Sequence, residues 1–429
     1  MPIFSLAYGE QSFQFELESK NVLGVLKPNR PSPAGSPVQL INQALDFPIA
    51  SQRFEKVFQK GGKTVIIVPD KTRKAGAEIY LPILVRRLNA LGIRDRDIEV
   101  VLATGSHAPE SPAEIEGVVG SEIYHRFEII EHDCHDSENL VYLGETKNEV
   151  PVYISKHAVE AEQLLVTGTT VHHYFAGYGG GAKMINPGCA GYETVTRNHA
   201  LTIDEQTGEI HANCRAGRSA GNPVLEDIHD SMKYMKPAFL LSTVIDEQGT
   251  VVEAVAGDLL VVHKKSCEIV DAIYKVAIAQ KADLVVVSCG GLPKDVNFIQ
   301  AHKSLQNAFV AVKPGGTIIL LAECRDGIGS QTFLDWFDYP DDAALSQAIR
   351  KHYKVNGTTA LSLKNKTRAA HVILVSTLET GLVLKLGMRP ASDVGQAFKM
   401  AMRQVPTDFK CYVIPNGSLT LPHFEGNRA

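Results

Sequence analysis

Between His172 and His199 the chain reads HHYFAGYGGGAKMINPGCAGYETVTRNH, with three histidines, one lysine, six glycines and little that would build a core. Glycine at that density gives up backbone entropy and offers no packing, so a ligand that needs the backbone close is the natural reason for it. Imidazoles add proton transfer near neutral pH or nitrogen donors for a metal, and Lys183 adds an amine. A phosphate loop of the Walker A type is excluded, because Ala182 precedes Lys183 and Met184 follows it where Ser or Thr is required. Gly177–Ala182 fits the looser dinucleotide pattern with alanine in the last place, but two histidines and two aromatics separate it from the strand that should feed the turn. The competing reading is a flexible surface loop with incidental histidines.

Chemistry-bearing residues recur after other apolar runs. Thr64–Val68 is followed by Asp70, Lys71, Thr72 and Arg73, and Ile98–Ala103 by Gly105, Ser106 and His107. Leu164–Thr167 leads into His172 and His173; Leu284–Ser288 leads into Gly290, Gly291 and Asp295, then Gln300 and Lys303. In an open α/β sheet, ligands bind beyond the carboxyl ends of the strands, so four such tips point to one cleft. Two neutral imidazoles, His107 and His173, could act as paired acid and base, as inversion at carbon requires. Arg73 and Lys303, with Gln300 one helical turn before the lysine, suit a carboxylate, for which arginine offers a bidentate fork. The bland alternatives are a helix-capping His107 and surface cations on loop ends. His199, on a helical stretch, could supply one nitrogen to nickel, zinc or copper. The run Glu131-His132-Asp133-Cys134-His135-Asp136 has metal-type residues, but side chains adjacent on a strand end point to opposite faces. The single tryptophan, Trp336, reads as packing.

The elements that must position these groups are short continuous Val/Ile/Leu runs: the four above plus Thr317–Ala322 and Val372–Ser376. Continuous apolar character marks strands buried on both faces of a mostly parallel sheet. Helical stretches fall between them, such as Ala77–Leu91 and Leu259–Lys281. The expected fold class is therefore α/β, with two domains, each a mostly parallel sheet flanked by helices, and the active site in the cleft between them. The expected division is a cofactor-binding and catalytic domain at 1–270 and a substrate-binding domain at 271–404, with a tail from about residue 405 packing back on the first. A content of 44% hydrophobic and 21% charged residues is that of an ordinary globular chain. A net charge of -5 provides no basic face, so nucleic acid is not an expected partner. Seven scattered cysteines, never in Cys-x-x-Cys spacing, argue for a reducing compartment and against a zinc or disulfide framework. The first residues lack a signal-peptide pattern and no apolar run approaches the ~20 residues of a membrane span, so the expected location is the cytoplasm.

Taken together, the motifs resemble those of the nickel-dependent lactate racemase family, racemases and epimerases of 2-hydroxy acids that carry a nickel-pincer nucleotide. The resemblance covers most of the chain, from VLGVLKPNR onward. It rests on Asp70-Lys-Thr-Arg73, Ala103-Thr-Gly-Ser-His107, His173 through Gly179, Gly180 and Lys183, Pro187-Gly188 with Asn198-His199, and Pro293-Lys-Asp295 with Gln300-Ala-His-Lys303. It implies Ni(II) pyridinium-3,5-bisthiocarboxylic acid mononucleotide as cofactor, bound covalently to Lys183 and ligated through nickel by His199. Asp70, Lys71, Thr72, Arg73, Gly179 and Gly180 would contact that cofactor; Arg73, Gln300 and Lys303 would hold the substrate. His107 and His173 would be the catalytic pair, with His173 rather than His172 in the family's place ten residues before the lysine. The implied reaction moves the Cα hydride reversibly to the cofactor while a histidine takes the hydroxyl proton. Implied partners are a small 2-hydroxy acid and, transiently, the proteins that make the cofactor. Ala182 stands where lactate-specific members are expected to have arginine, and Ile299 and Leu361–Leu363 replace pocket-closing aromatics. With the extra cations Lys71, Lys74 and His302, this makes malate a candidate beside lactate. The alternatives are a cofactor carrier without turnover and a nicotinamide dehydrogenase.

Overall fold

The computed structural model describes residues 1–29 and 33–424 and divides into two compact units, each built on a six-stranded sheet. The central unit comprises Arg30–Thr202 and His211–Asp271; the terminal unit comprises Met1–Asn29, Ile203–Ile210 and Ala272–Ala429. In the central unit the strands run in the order Val251–Gly257, Pro237–Ile245, Gln163–Thr169, Thr64–Pro69, Ile98–Ala103, Ile129–Glu131. All neighbours are parallel except the first pair, an antiparallel hairpin at one edge. Val65, Ile66, Ile67 and Val68 are all fully buried, which is why this segment carries no polar alternation. Ile66, Val68, Val100 and Leu165 pack against Tyr80, Leu81, Leu84 and Leu88 of the Ala77–Ala90 helix. The same strands end in the polar tips, so the sheet's core fixes where Asp70, His107 and His173 emerge.

The terminal unit's sheet is parallel throughout, in the order Arg389–Ala391, His371–Val375, Val312–Leu321, Ala282–Ser288, Cys411–Ile414, Val22–Val25. Its strands are buried on both faces: Val285 and Val287 meet the Phe298–Ala311 helix side, while Leu284 and Val286 pack with Leu6, Phe15 and Ala397. Alternate residues of one strand thus supply two separate cores.

The sequence-based division placed residues 1–29 with the catalytic half; in the structure Val22–Val25 pairs in parallel with Cys411–Ile414 instead. The segment from about residue 405 likewise joins the terminal unit, where Cys411–Ile414 pairs with Ala282–Ser288. A helix expected as far as Lys281 ends at Tyr274, and Lys275–Ile278 becomes a strand against Leu421–Phe424. Strand propensity depends on the partner, and this one comes from the far end of the chain. Trp336 is 3% exposed and stacks on Tyr339. No helix among the described residues is long and apolar enough to cross a membrane.

Candidate active site

Asp70 follows the central strand Thr64–Pro69 directly and is buried. One carboxylate oxygen accepts from the Thr72 hydroxyl at 2.7 Å and the other meets His107 Nδ1. Burial pushes the Asp70 carboxyl up, but the hydrogen bond and charge of His107, with Arg73 beyond it, outweigh burial and hold it below the usual carboxylate range. A carboxylate on Nδ1 places the imidazole proton there and leaves the Nε2 lone pair outward, on a ring still half exposed. Gly105 lets the His107 turn form: its φ is +58°, and its amide donates to the Gly188 carbonyl at 2.9 Å. Lys71 and Thr72 are exposed, and Lys71 Nζ is 2.8 Å from Glu114.

The glycine-rich run is packed rather than loose, with every residue from Phe175 to Met184 buried. His172 and His173 pair antiparallel with Tyr178 and Gly177. His173 Nδ1 accepts from the Ala176 amide at 3.2 Å, which puts the neutral ring's proton on Nε2, the tautomer opposite to that of His107. The glycines serve close backbone packing. A Cβ on Gly180 would lie 2.6 Å from the Thr169 carbonyl oxygen, and one on Gly181 would lie 2.4 Å from His263 Cγ. Gly179 is the exception, since a Cβ there would meet Arg73 Nη1 at 3.2 Å, so the guanidinium faces the loop. The expected ligand cradle is thus largely a fit of the loop to its own protein.

Lys183 lies in a short 3-10 turn, 5% exposed. Its Nζ sits 5.6 Å from the centre of the Phe175 ring, and among the described residues no carboxylate or hydrogen-bond acceptor meets it. Burial, with Arg73 adding to it, pushes the amine well below its ordinary range. Phe175 also packs edge-on against His173 at 4.6 Å and His199 at 5.0 Å between ring centres. It is a hub between the lysine and two of the histidines. His199 is on the Tyr192–Ala200 helix, whose Asn198 is tied to Asp227 at 3.0 Å and to the Val224 carbonyl at 3.1 Å. Burial, then Lys183, pushes the His199 imidazole down to about 3, so it is a neutral nitrogen donor. His263, which the sequence reading missed, is buried beside the loop; its Nε2 donates to the Gly179 carbonyl at 3.0 Å. Burial is the main force that lowers His263 to about 4. No local motif announces His263 or Phe175.

The structure brings Asp70, Arg73, His107, His173, Lys183 and His199 onto the central unit. Gln300 and Lys303 belong to the terminal unit, on the first turns of the Phe298–Ala311 helix. Asn297 caps that helix by accepting from the Gln300 amide at 3.0 Å, and Lys303 Nζ donates to Gln300 Oε1 at 2.7 Å. His302, on the same helix, is buried and held well below its ordinary range by burial. The Glu131–Asp136 run disperses as expected. Glu131 accepts from the Glu110 amide at 2.7 Å, His132 Nε2 donates to the Ala190 carbonyl at 3.0 Å, and Asp136 caps a turn. Among the described residues no group of three or more His, Cys, Asp or Glu could hold a metal ion.

Comparison with known proteins agrees over nearly the whole chain. A family model for the lactate racemase N-terminal domain matches residues 8–210, and one for the lactate racemase C-terminal domain matches 277–420. Lactate racemase of Lactiplantibacillus plantarum is 31% identical over 97% of this chain and 99% of its own. Lactate racemase of Thermoanaerobacterium thermosaccharolyticum is 29% identical over 97% of this chain and 98% of its own. The structure of that enzyme's apoprotein superposes with a TM-score of 0.91, covering 98% of this chain and 100% of the other at 30% identity. A Thermotoga maritima protein at 18% identity and a TM-score of 0.67 shares the fold.

Proposed function

This chain belongs to the lactate racemase family, and from that premise we propose that it racemises a short 2-hydroxy acid with a nickel-pincer nucleotide held on Lys183. The observation that carries the reading is Lys183 itself: a buried amine with no hydrogen-bond acceptor among the described residues, in a packed loop, beside a neutral imidazole. A cation there is costly, so burial, with Arg73 adding to it, favours the uncharged amine, the form that can act as a nucleophile. The residues fit the cofactor. His199 offers nickel one neutral imidazole nitrogen, and the cofactor would bring the metal's other ligands. When bound, the group would supply the carbon that takes and returns the hydride.

The chain's own part is proton handling and orientation. His107, with Asp70 behind Nδ1, presents a lone pair at Nε2 that can take the substrate hydroxyl proton. Asp70 then stabilises the imidazolium that forms, without itself taking the proton. For the protons to balance, one ring enters the cycle as an imidazolium: with His107 neutral and His173 charged, His107 takes the hydroxyl proton and His173 Nε2 returns one to the keto oxygen, and the opposite charge state runs the reaction in reverse. Racemisation uses both in turn, one for each face of the 2-keto acid. We assign the substrate carboxylate to Arg73 of the central unit, and keep Gln300 and Lys303 as candidate substrate contacts of the terminal unit.

The side chain of the substrate is a finer question. Of the extra cations that favour malate, Lys71 is engaged by Glu114 and His302 is buried and neutral, which leaves Lys74. This balance favours lactate. The test is chiral analysis of the cofactor-loaded protein with L-lactate, D-lactate, L-malate and other short 2-hydroxy acids. Inversion of at least one is expected, lactate foremost. A loaded protein that inverts none would overturn the reading in favour of a carrier, and an absorbance change on adding NAD would favour a dehydrogenase.

A further inference from the structure

One face of the Leu259–Tyr274 helix reads the glycine-rich run at two points two turns apart. His263 donates to the Gly179 carbonyl, and eight residues on Asp271 gathers the start of the run. Its carboxylate accepts from the Tyr178 hydroxyl at 2.8 and 2.9 Å on its two oxygens and from His172 Nε2 at 2.8 Å. Tyr178 and His172 stand opposite each other in the small hairpin, their rings 5.5 Å apart, so a single carboxylate holds both strands. His173 and Gly177 form the next pair. Adjacent strand residues point to opposite faces, so fixing His172 toward the helix fixes the direction in which His173 leaves the hairpin. Charge-assisted bonds of this kind are short and directional, as a strand pair only two residues long requires.

We propose that Asp271 is a positioning residue of the active site, acting through His172 and Tyr178 to hold the hairpin that aims His173. The proposal rests on the catalytic reading above, but the hairpin clamp has a readout of its own. His172, a bystander when the sequence is read alone, becomes part of the clamp. The phenol supports this: burial, then Asp271, raises the Tyr178 hydroxyl above its usual range, so it remains a donor.

The experiment compares wild type with Asp271→Asn and Tyr178→Phe, which keep size and remove a charge or a donor. Glu268→Gln serves as control, on an exposed position of the same helix paired with Lys265. Amide hydrogen exchange of the cofactor-free proteins, read by mass spectrometry, should rise at least tenfold in peptides covering 172–181 in both variants and not in the control. After loading, kcat per adduct-bearing enzyme should fall roughly tenfold while KM stays within twofold. Unchanged exchange in 172–181 would overturn the clamp, and faster exchange with unchanged kcat would overturn the positioning role. If Asp271→Asn does not fold, Tyr178→Phe decides alone. A wild type that carries the adduct yet racemises nothing would fail the catalytic reading, whereas the exchange rates would still judge the clamp.

Discussion

Among the described residues two lysines are buried, one in each unit, and they are buried for different reasons. Lys366 lies in the Gly357–Ala369 helix at 8% exposure. Its Nζ donates to the Ser362 hydroxyl at 2.6 Å and the Ser362 carbonyl at 3.3 Å, and it lies over the Phe309 ring at 5.4 Å. Gln306 donates to the same hydroxyl at 2.6 Å, so the polar group closes on itself between two helices. Burial lowers Lys366 to about 7. Lys183 is equally hidden, has an aromatic ring beside it too, and meets no hydrogen-bond acceptor among the described residues. Burial alone is therefore no sign of function, because a core can absorb a lysine that finds oxygens. The informative difference is a buried amine with no hydrogen-bond acceptor among the described residues, next to a neutral histidine and within a closely packed loop.

That contrast can be broken by substitution. After the loading treatment Lys183→Met should carry no adduct and lose racemisation by at least a thousandfold, while Lys366→Met should leave it within twofold. Equal losses would dissolve the distinction. Next in size, His107→Ala and His173→Ala should each cost about 10²-fold in both directions. Asp70→Asn should cost about tenfold or more, because the ring it orients loses its tautomer control. Chiral assay of each variant checks this set, and full activity in either histidine variant would remove that residue from the proton pathway.

The smallest effect is on stability. A lysine held at about 7 when folded and near its ordinary value when unfolded binds more protons in the unfolded state between those limits, so its stability penalty shrinks as pH rises. Lys366→Met should therefore raise the melting temperature at pH 7, with a gain that falls by about 1.4 kcal/mol per pH unit toward pH 10. Melting curves across that range decide it; a gain independent of pH would mean the amine is not titrating as placed.

How much of this was legible beforehand follows the same physics. Ile98–Ala103 was readable to its bounds because a strand buried on both faces needs no partner information to look apolar. The polar tips Asp70, His107 and His173 were readable because they follow such strands. The strand at Lys275–Ile278 was not, since only Leu421–Phe424 makes it one. Nor were the tie between Asp70 and His107, the Phe175 hub or the Asp271 clamp, which depend on side chains meeting across tens of residues. The glycines were noticed for their density, and the structure adds a reason the sequence does not show: Gly180 and Gly181 yield space to Thr169 and His263 of the protein itself.

The central claim is that Lys183 is where the cofactor is attached, and the most direct test is the intact mass of the protein after loading, followed by peptide mapping. The account predicts a single adduct on the wild type, mapped to Lys183, still present in Lys366→Met and absent in Lys183→Ala. An adduct of the same mass on Lys183→Ala, or one mapped to any other residue of the wild type, would contradict it.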